Sequence, residues 1–380
     1  MRAVTYFANK IYKGLIMKKS IVALAVSALC ASSVNAANIY DKDGTTLDVQ
    51  GRVQAVYYSG NQKAATDHKS SIADQFRFGL VGRTQLTDKI AAFGAYEIQS
   101  DHEGDSTETQ DQKTRDAYVG VDFGKFGAVQ AGRMPSNIYY VTELTDIFDD
   151  WGCAGVAGND DTRNSGKVQY KWSGYGVDFG LGAQTAINNY TIGDFETNVK
   201  GGFSVTAGYT SPVVLFGPVQ IRAGYEYLKG QDNGDNTSEF SNIKTASAGL
   251  AWGGDTGFYT AIDYTYRKFN LRSGRTAAYN DAKIGDVKFY GLEFVLAYNF
   301  ESGITVAAGY EATKVKFDGY SFKSKKVPVY VNYQVNEQFN VWIEAQFDAG
   351  SDEFKIPGVV SDNIFDRHQN QYSVGMRYTF

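Results

Sequence analysis

Tyr290-Gly291-Leu292-Glu293-Phe294-Val295-Leu296-Ala297-Tyr298-Asn299-Phe300 carries a bulky apolar side chain at every even position. Successive side chains of an extended strand point to opposite faces. One wall therefore holds Tyr290, Leu292, Phe294, Leu296, Tyr298 and Phe300, and the other Gly291, Glu293, Val295, Ala297 and Asn299. The last residues repeat the pattern, Tyr372, Val374, Met376, Tyr378 and Phe380 against Ser373, Gly375, Arg377 and Thr379. In mid-chain Val219, Ile221, Ala223, Tyr225 and Tyr227 alternate with Gln220, Arg222, Gly224 and Glu226. One wall is apolar and the other wet.

A soluble β-sandwich also alternates. Against it stand long strands, apolar walls that end in tyrosine or phenylalanine, and tight connections that alternate with long polar ones. The tight turns are Asp88-Lys89, Tyr175-Gly176, Glu301-Ser302-Gly303 and Asn336-Glu337-Gln338. The long connections 59–74, 101–113, 188–199, 229–241, 268–286 and 349–367 are rich in Asp, Asn, Gly, Ser and Lys. Strands are expected near 46–58, 75–87, 89–100, 114–123, 127–133, 166–173, 176–187, 200–210, 217–228, 243–253, 257–267, 287–300, 303–315, 323–335, 338–348 and 369–380. That is about sixteen, an even number that closes a barrel wide enough for water. The fold class is an all-β antiparallel transmembrane barrel, one domain over 37–380. With 5 prolines against 41 glycines and 27 tyrosines, and no mature apolar run near the ~20 residues of a spanning helix, only a closed barrel satisfies the backbone in a bilayer.

Residues 1–36 read as a targeting segment. Met17-Lys18-Lys19 is a cationic start, Ile21 to Leu29 is apolar, and Val34-Asn35-Ala36 has the small residues that cleavage after Ala36 requires. Residues 1–16 read as an extension from an upstream start codon. Cys30 raises a lipoprotein alternative, but Leu29 stands where a small residue is needed. Removing Arg2, Lys10, Lys13, Lys18 and Lys19 leaves 32 basic against 42 acidic residues, a net charge near −10. Such a chain is no nucleic-acid binder and is suited to attracting cations. Cys153 alone remains, so neither a disulfide nor a paired-cysteine metal site forms.

The longest break in the rhythm is 134–165, with Trp151, Cys153 and the acids Glu143, Asp146, Asp149, Asp150, Asp160 and Asp161. A loop of that length in a compact fold is usually functional.

From Ala37 to Phe380 the chain resembles the general diffusion porins of Gram-negative outer membranes, with the vibrio-type branch the nearest. The resemblance is carried by Asn38-Ile39-Tyr40-Asp41-Lys42-Asp43-Gly44, Leu47-Asp48-Val49-Gln50-Gly51-Arg52 and the terminal Phe380. It implies a homotrimer in contact with outer-membrane lipid and lipopolysaccharide, a water-filled path for small hydrophilic solutes and ions, Phe380 as the signal to the barrel-assembly machinery, and Glu103 of the second loop as a latch on a neighbouring subunit. It also implies a third loop folded into the lumen, its acids facing arginines on the opposite wall. Thr145-Asp146-Ile147-Phe148-Asp149-Asp150-Trp151-Gly152 is similar to the family's loop tip and places Asp146 and Asp150 as its two acids, with Asp149 where the family has proline and Cys153 where it has a second glycine. On the wall side the resemblance selects Arg52, Arg77, Arg115 and Arg163. Alternation independently turns Arg52 inward with Asp48, Gln50 and Gln54, and Arg77 with Gln75, Arg83 and Gln85. Arg163 shares the parity of Lys167, Gln169 and Lys171, and Arg115 rests on the resemblance alone. A single lumen arginine without that match reads as a solvated charge.

His68, His102 and His368 fall in expected loops without metal-ligand spacing, and Asp41-Lys42-Asp43-Gly44 lacks the downstream ligands of a calcium loop. No nucleophile elbow, phosphate loop or dinucleotide fingerprint occurs, so the expectation is a channel without cofactor or metal rather than a barrel enzyme. Vestibule acids against the four arginines give an expected weak cation preference.

Overall fold

The computed structural model describes residues 36–59, 71–102, 111–152, 155, 163–192, 195–233, 237–238, 240–272, 286–317, 320–350 and 370–380. Among the described residues sixteen long antiparallel strands close into one barrel, with two short strands added to it. They are β1 (Thr45–Tyr58), β2 (Ser71–Thr87), β3 (Ile90–His102), β4 (Asp111–Asp122), β5 (Ala128–Met134), β6 (Asn164–Gly174), β7 (Val177–Gln184) and β8 (Phe195–Val214). The second half is β9 (Gly217–Gly230), β10 (Phe240–Gly253), β11 (Gly257–Leu271), β12 (Val287–Asn299), β13 (Ile304–Phe317), β14 (Tyr320–Gln334), β15 (Phe339–Asp348) and β16 (Gln371–Thr379). Each of the sixteen expected strands overlaps one of these.

The sides of each strand are inside-out relative to a soluble protein. In β12 Phe294 is 40% and Leu296 47% exposed, whereas Glu293 is 2% exposed. In β1 Val53 and Tyr57 face outward while Gln50 and Gln54 are buried. An outer face of this kind is stable against hydrocarbon and not against water. Aromatic rings gather on that face at both ends of the strands. Near the tight turns Phe216 stacks on Trp252 at 3.9 Å and Phe258 meets Tyr298 at 4.8 Å. Toward the long loops Phe203 stacks on Tyr227 at 5.8 Å and Tyr266 meets Tyr290 at 5.2 Å.

The seam between β16 and β1 runs in register from Ser373 opposite Tyr58 to Thr379 opposite Arg52. Phe380 completes it: its N–H donates to Gly51 O at 2.9 Å and its carbonyl accepts from Gly51 N–H at 2.8 Å. Glycine is required at 51, where a Cβ would lie 2.5 Å from Arg77 O and 2.6 Å from the Phe380 ring.

Two short strands lie outside the expected set. Ala37–Lys42 folds onto the first half of β1 through Asp43-Gly44, with φ of 53° and 73°, as a two-residue turn of the mirror-image type needs. That motif is thus a hairpin turn. Ile187–Ile192, in the stretch expected to be a loop, pairs with the start of β8. It pays for its order with a small apolar core: Tyr190 and Ile192 pack with Val199, Leu228, Phe240 and Ile243.

Candidate functional site

The described part of the loop between β5 and β6 lies along the inner wall, opposite the apolar face. It begins with a single helical turn, α1 (Tyr139–Thr142). Ser136 donates to Glu226 of β9 at 2.6 Å, and Asn137 to Ser204 of β8 at 3.1 Å. Leu144 then packs with Ala251, Ala261 and Val295, and the Tyr259 hydroxyl donates to Leu144 O at 2.6 Å. The Thr145 hydroxyl reaches Asp263 of β11 and Glu293 of β12 at 2.5 and 2.6 Å.

The tip is gripped by its backbone. Asp149, Asp150 and Trp151 donate their N–H groups to the Glu344 carboxylate at 2.9, 3.1 and 2.6 Å, and Glu344 is fully buried. Three successive amides on one buried acceptor fix the tip at three consecutive residues, each bond contributing about 1 kcal/mol. Side chains reinforce it. Asp150 accepts from Tyr58 of β1 at 2.9 Å, Trp342 of β15 at 2.7 Å and Ser373 of β16. Burial of this loop carboxyl raises its pKa, and the three donors pull it back. Asp149 accepts from Tyr330 of β14 at 2.6 Å and Arg377 of β16 at 2.5 Å.

Of the three loop acids selected from sequence, Asp149 and Asp150 therefore face the wall and fasten the loop. Asp146 is exposed and accepts from the Tyr139 hydroxyl at 2.7 Å. Glu143, one turn away and also exposed, pairs with Arg222. The Arg222 guanidinium lies 4.3 Å from the Tyr140 ring centre.

The four selected arginines do gather, with Arg77 in electrostatic reach of Arg52, Arg115 and Arg163. Arg52 and Arg77 stand directly opposite one another across β1 and β2. Like charges so placed oppose strand pairing. Each is held by a neutral partner, Arg52 donating to Gln75 and Arg77 to Gln99, both at 2.6 Å. Arg115 shares the parity of outward-facing Val119, yet it donates to Glu97 at 2.8 Å and Gln99 at 3.1 Å on the inner face. A register shift opposite Glu97 and Ile98 is responsible: Glu97 pairs with Asp116 and Ile98 with Thr114, leaving Arg115 as a bulge residue. Arg163 donates to Asp116 at 3.1 Å. A cavity of about 370 Å³ remains between α1 and the wall of β4 to β9, reached by Tyr118, Tyr140, Arg163, Asp178 and Arg222.

Sequence reasoning missed Arg377, Glu344 and Arg222 as site residues. Alternation did put Arg377 and Arg222 on wet walls, but their loop partners are distant in sequence. Glu103, Cys153, Asp160, Asp161, His68, His368 and the segment before Ala36 lie outside the described residues. Among the described residues no group of His, Cys, Asp and Glu is arranged to hold a metal.

The family model for Gram-negative porins matches residues 23–380. The outer membrane porin PhoE of Klebsiella oxytoca is 29% identical over 379 residues, covering 96% of this chain and 100% of that protein. Outer membrane porin OmpD of Salmonella typhimurium is 28% identical, covering 98% and 99%. Among solved structures, Salmonella typhi OmpF in complex with daunomycin superposes with a TM-score of 0.72 at 21% identity, over 90% of this chain and 100% of that one. The trimer form of Vibrio cholerae OmpT gives 0.60 at 14%, over 89% and 100%. At these identities the two structures speak for the fold alone.

Proposed function

The chain belongs to the Gram-negative porins, outer-membrane β-barrel channels, and on that premise we propose that it is a general diffusion channel for small hydrophilic solutes and ions, narrowed by its third loop. The observation that carries the reading is the fastening of 135–152 to the inner wall by Glu344, Asp149 and Asp150, with Arg52, Arg77, Arg115 and Arg163 gathered on the wall of β1 to β6. Exposed Asp146 on one side, and Arg52 and Arg77 with their neutral partners on the other, set up a transverse field. Polar solutes keep their hydration in it and apolar ones lose theirs.

The channel prefers cations weakly. Pairing supports this, because Arg83, Arg115, Arg163, Arg222 and Arg377 each face a carboxylate. Arg52 and Arg77 have neutral partners. The mature charge near −10 then governs the ions that reach the constriction. The assembly is a homotrimer, as in the trimer form of the V. cholerae relative, with the apolar outer faces of β1 to β5 in contact, Glu103 as latch and lipid and lipopolysaccharide around it. Phe380 presents the finished seam to the assembly machinery, and Ala36 ends the export signal.

Reconstitution in a planar bilayer tests the reading. Stepwise conductance with a zero-current potential favouring K⁺ in a KCl gradient is expected. A potential favouring Cl⁻ would return control to the arginines, and no steps at all would refute the channel.

A further inference from the structure

We propose that Arg377 and Asp149 form a mutually masking charge pair that sets the ion preference of the constriction, which makes Arg377 a selectivity-determining residue of the last strand. The inference rests on reading the chain as a channel narrowed by its third loop. Asp149 is one of the two residues by which that loop departs from the pattern it resembles.

Arg377 Nη2 donates to Asp149 Oδ1 at 2.5 Å, and both side chains are 14% exposed. Each member is held in place without the other. The Tyr330 hydroxyl donates to Asp149 Oδ2 at 2.6 Å, and Glu344 accepts the Asp149 N–H. Arg377 Nε donates to Gln54 Oε1 at 2.9 Å, and its guanidinium lies 4.8 Å from the Trp342 ring centre. Deleting one charge therefore leaves the other standing at the same place. That place is within electrostatic reach of Arg52, to which both Arg377 and Asp149 couple. Together the two charges cancel. Singly, each adds a full charge to the wall that passing ions meet. A recessed unit charge ~8 Å from the ions in a water-filled path, partly screened, changes their local concentration by roughly threefold.

A purely mechanical strut makes a different prediction. Losing either partner would then loosen the loop tip and move selectivity in one common direction.

The experiment uses the full-length protein purified from outer membranes, comparing unaltered channel, Arg377→Gln, Asp149→Asn, the double variant and Arg377→Lys by zero-current potential in a KCl gradient. Arg377→Gln is expected to raise the K⁺/Cl⁻ permeability ratio about threefold and Asp149→Asn to lower it about threefold. In the double variant and in Arg377→Lys the K⁺/Cl⁻ permeability ratio should return to that of the unaltered channel, whatever the conductance. The proposal is overturned if the two single variants conduct but shift the ratio the same way, or not at all. Should Arg377→Gln not fold, Asp149→Asn alone decides: a ratio that does not fall defeats the proposal. Absence of steps from the unaltered protein would defeat the channel reading itself.

Discussion

Replacing Glu344 by alanine removes one acceptor from three successive loop amides, those of Asp149, Asp150 and Trp151. A buried donor left without a partner costs about 1–3 kcal/mol. These amides recover water once the tip lifts, so the lower figure applies to each and the docked loop loses about 3 kcal/mol. At about 1.4 kcal/mol per factor of ten, the lifted form becomes roughly a hundredfold more populated. Hydrogen–deuterium exchange in detergent micelles reads this directly. Protection at residues 149–151 should fall about a hundredfold while the amides of β10 to β14 stay unchanged, and Glu344→Gln should fall between. Unchanged protection at the tip would mean that Glu344 does not hold the loop. So would a loss spread over the whole barrel, which would make Glu344 a support of the wall.

Asp146→Ala should lower the K⁺/Cl⁻ permeability ratio at nearly unchanged single-channel conductance, because Asp146 is exposed, whereas Asp150→Ala should raise conductance and its flicker by freeing the tip from Tyr58, Trp342 and Ser373. Gly51→Ala should lower the melting temperature by several degrees, as judged by loss of the compact band on unboiled gels, since its Cβ meets Arg77 O and the Phe380 ring. Deleting Phe380 should reduce folded protein in outer-membrane fractions, and a normal yield would remove its assigned role. Unboiled, detergent-extracted protein should migrate as a trimer, and monomer alone, confirmed by crosslinking, would exclude that assembly.

What could be read in advance follows from the range of the interactions. Alternation has a period of two and is written locally, so Arg52 and Arg77 were turned inward from their neighbours alone, and the strands from Tyr290 to Phe300 and Tyr372 to Phe380 were legible without any partner. Arg115 was not, because one extra residue opposite Glu97 reverses its side and a bulge leaves no periodic trace. The loop is the opposite extreme. Asp149 and Arg377 are separated by 228 positions, and Asp150 and Ser373 by 223. Only closure of the barrel brings them together, so the acids were found and their anchoring role was not. The hairpin at Ile187–Ile192 was lost for a similar reason, its core being supplied by Leu228, Phe240 and Ile243 of later strands.

An open, water-filled path without a dedicated binding site passes any hydrophilic solute small enough to enter it, and liposome swelling measures that passage. Vesicles carrying the purified protein are diluted into isotonic solutions of neutral sugars of increasing size. Immediate swelling is expected for monosaccharides, at rates that rise linearly with concentration and fall steadily with solute size, and that increase for the larger sugars in Asp150→Ala. Swelling no faster than in protein-free vesicles, or a rate that saturates for one sugar alone, would contradict it.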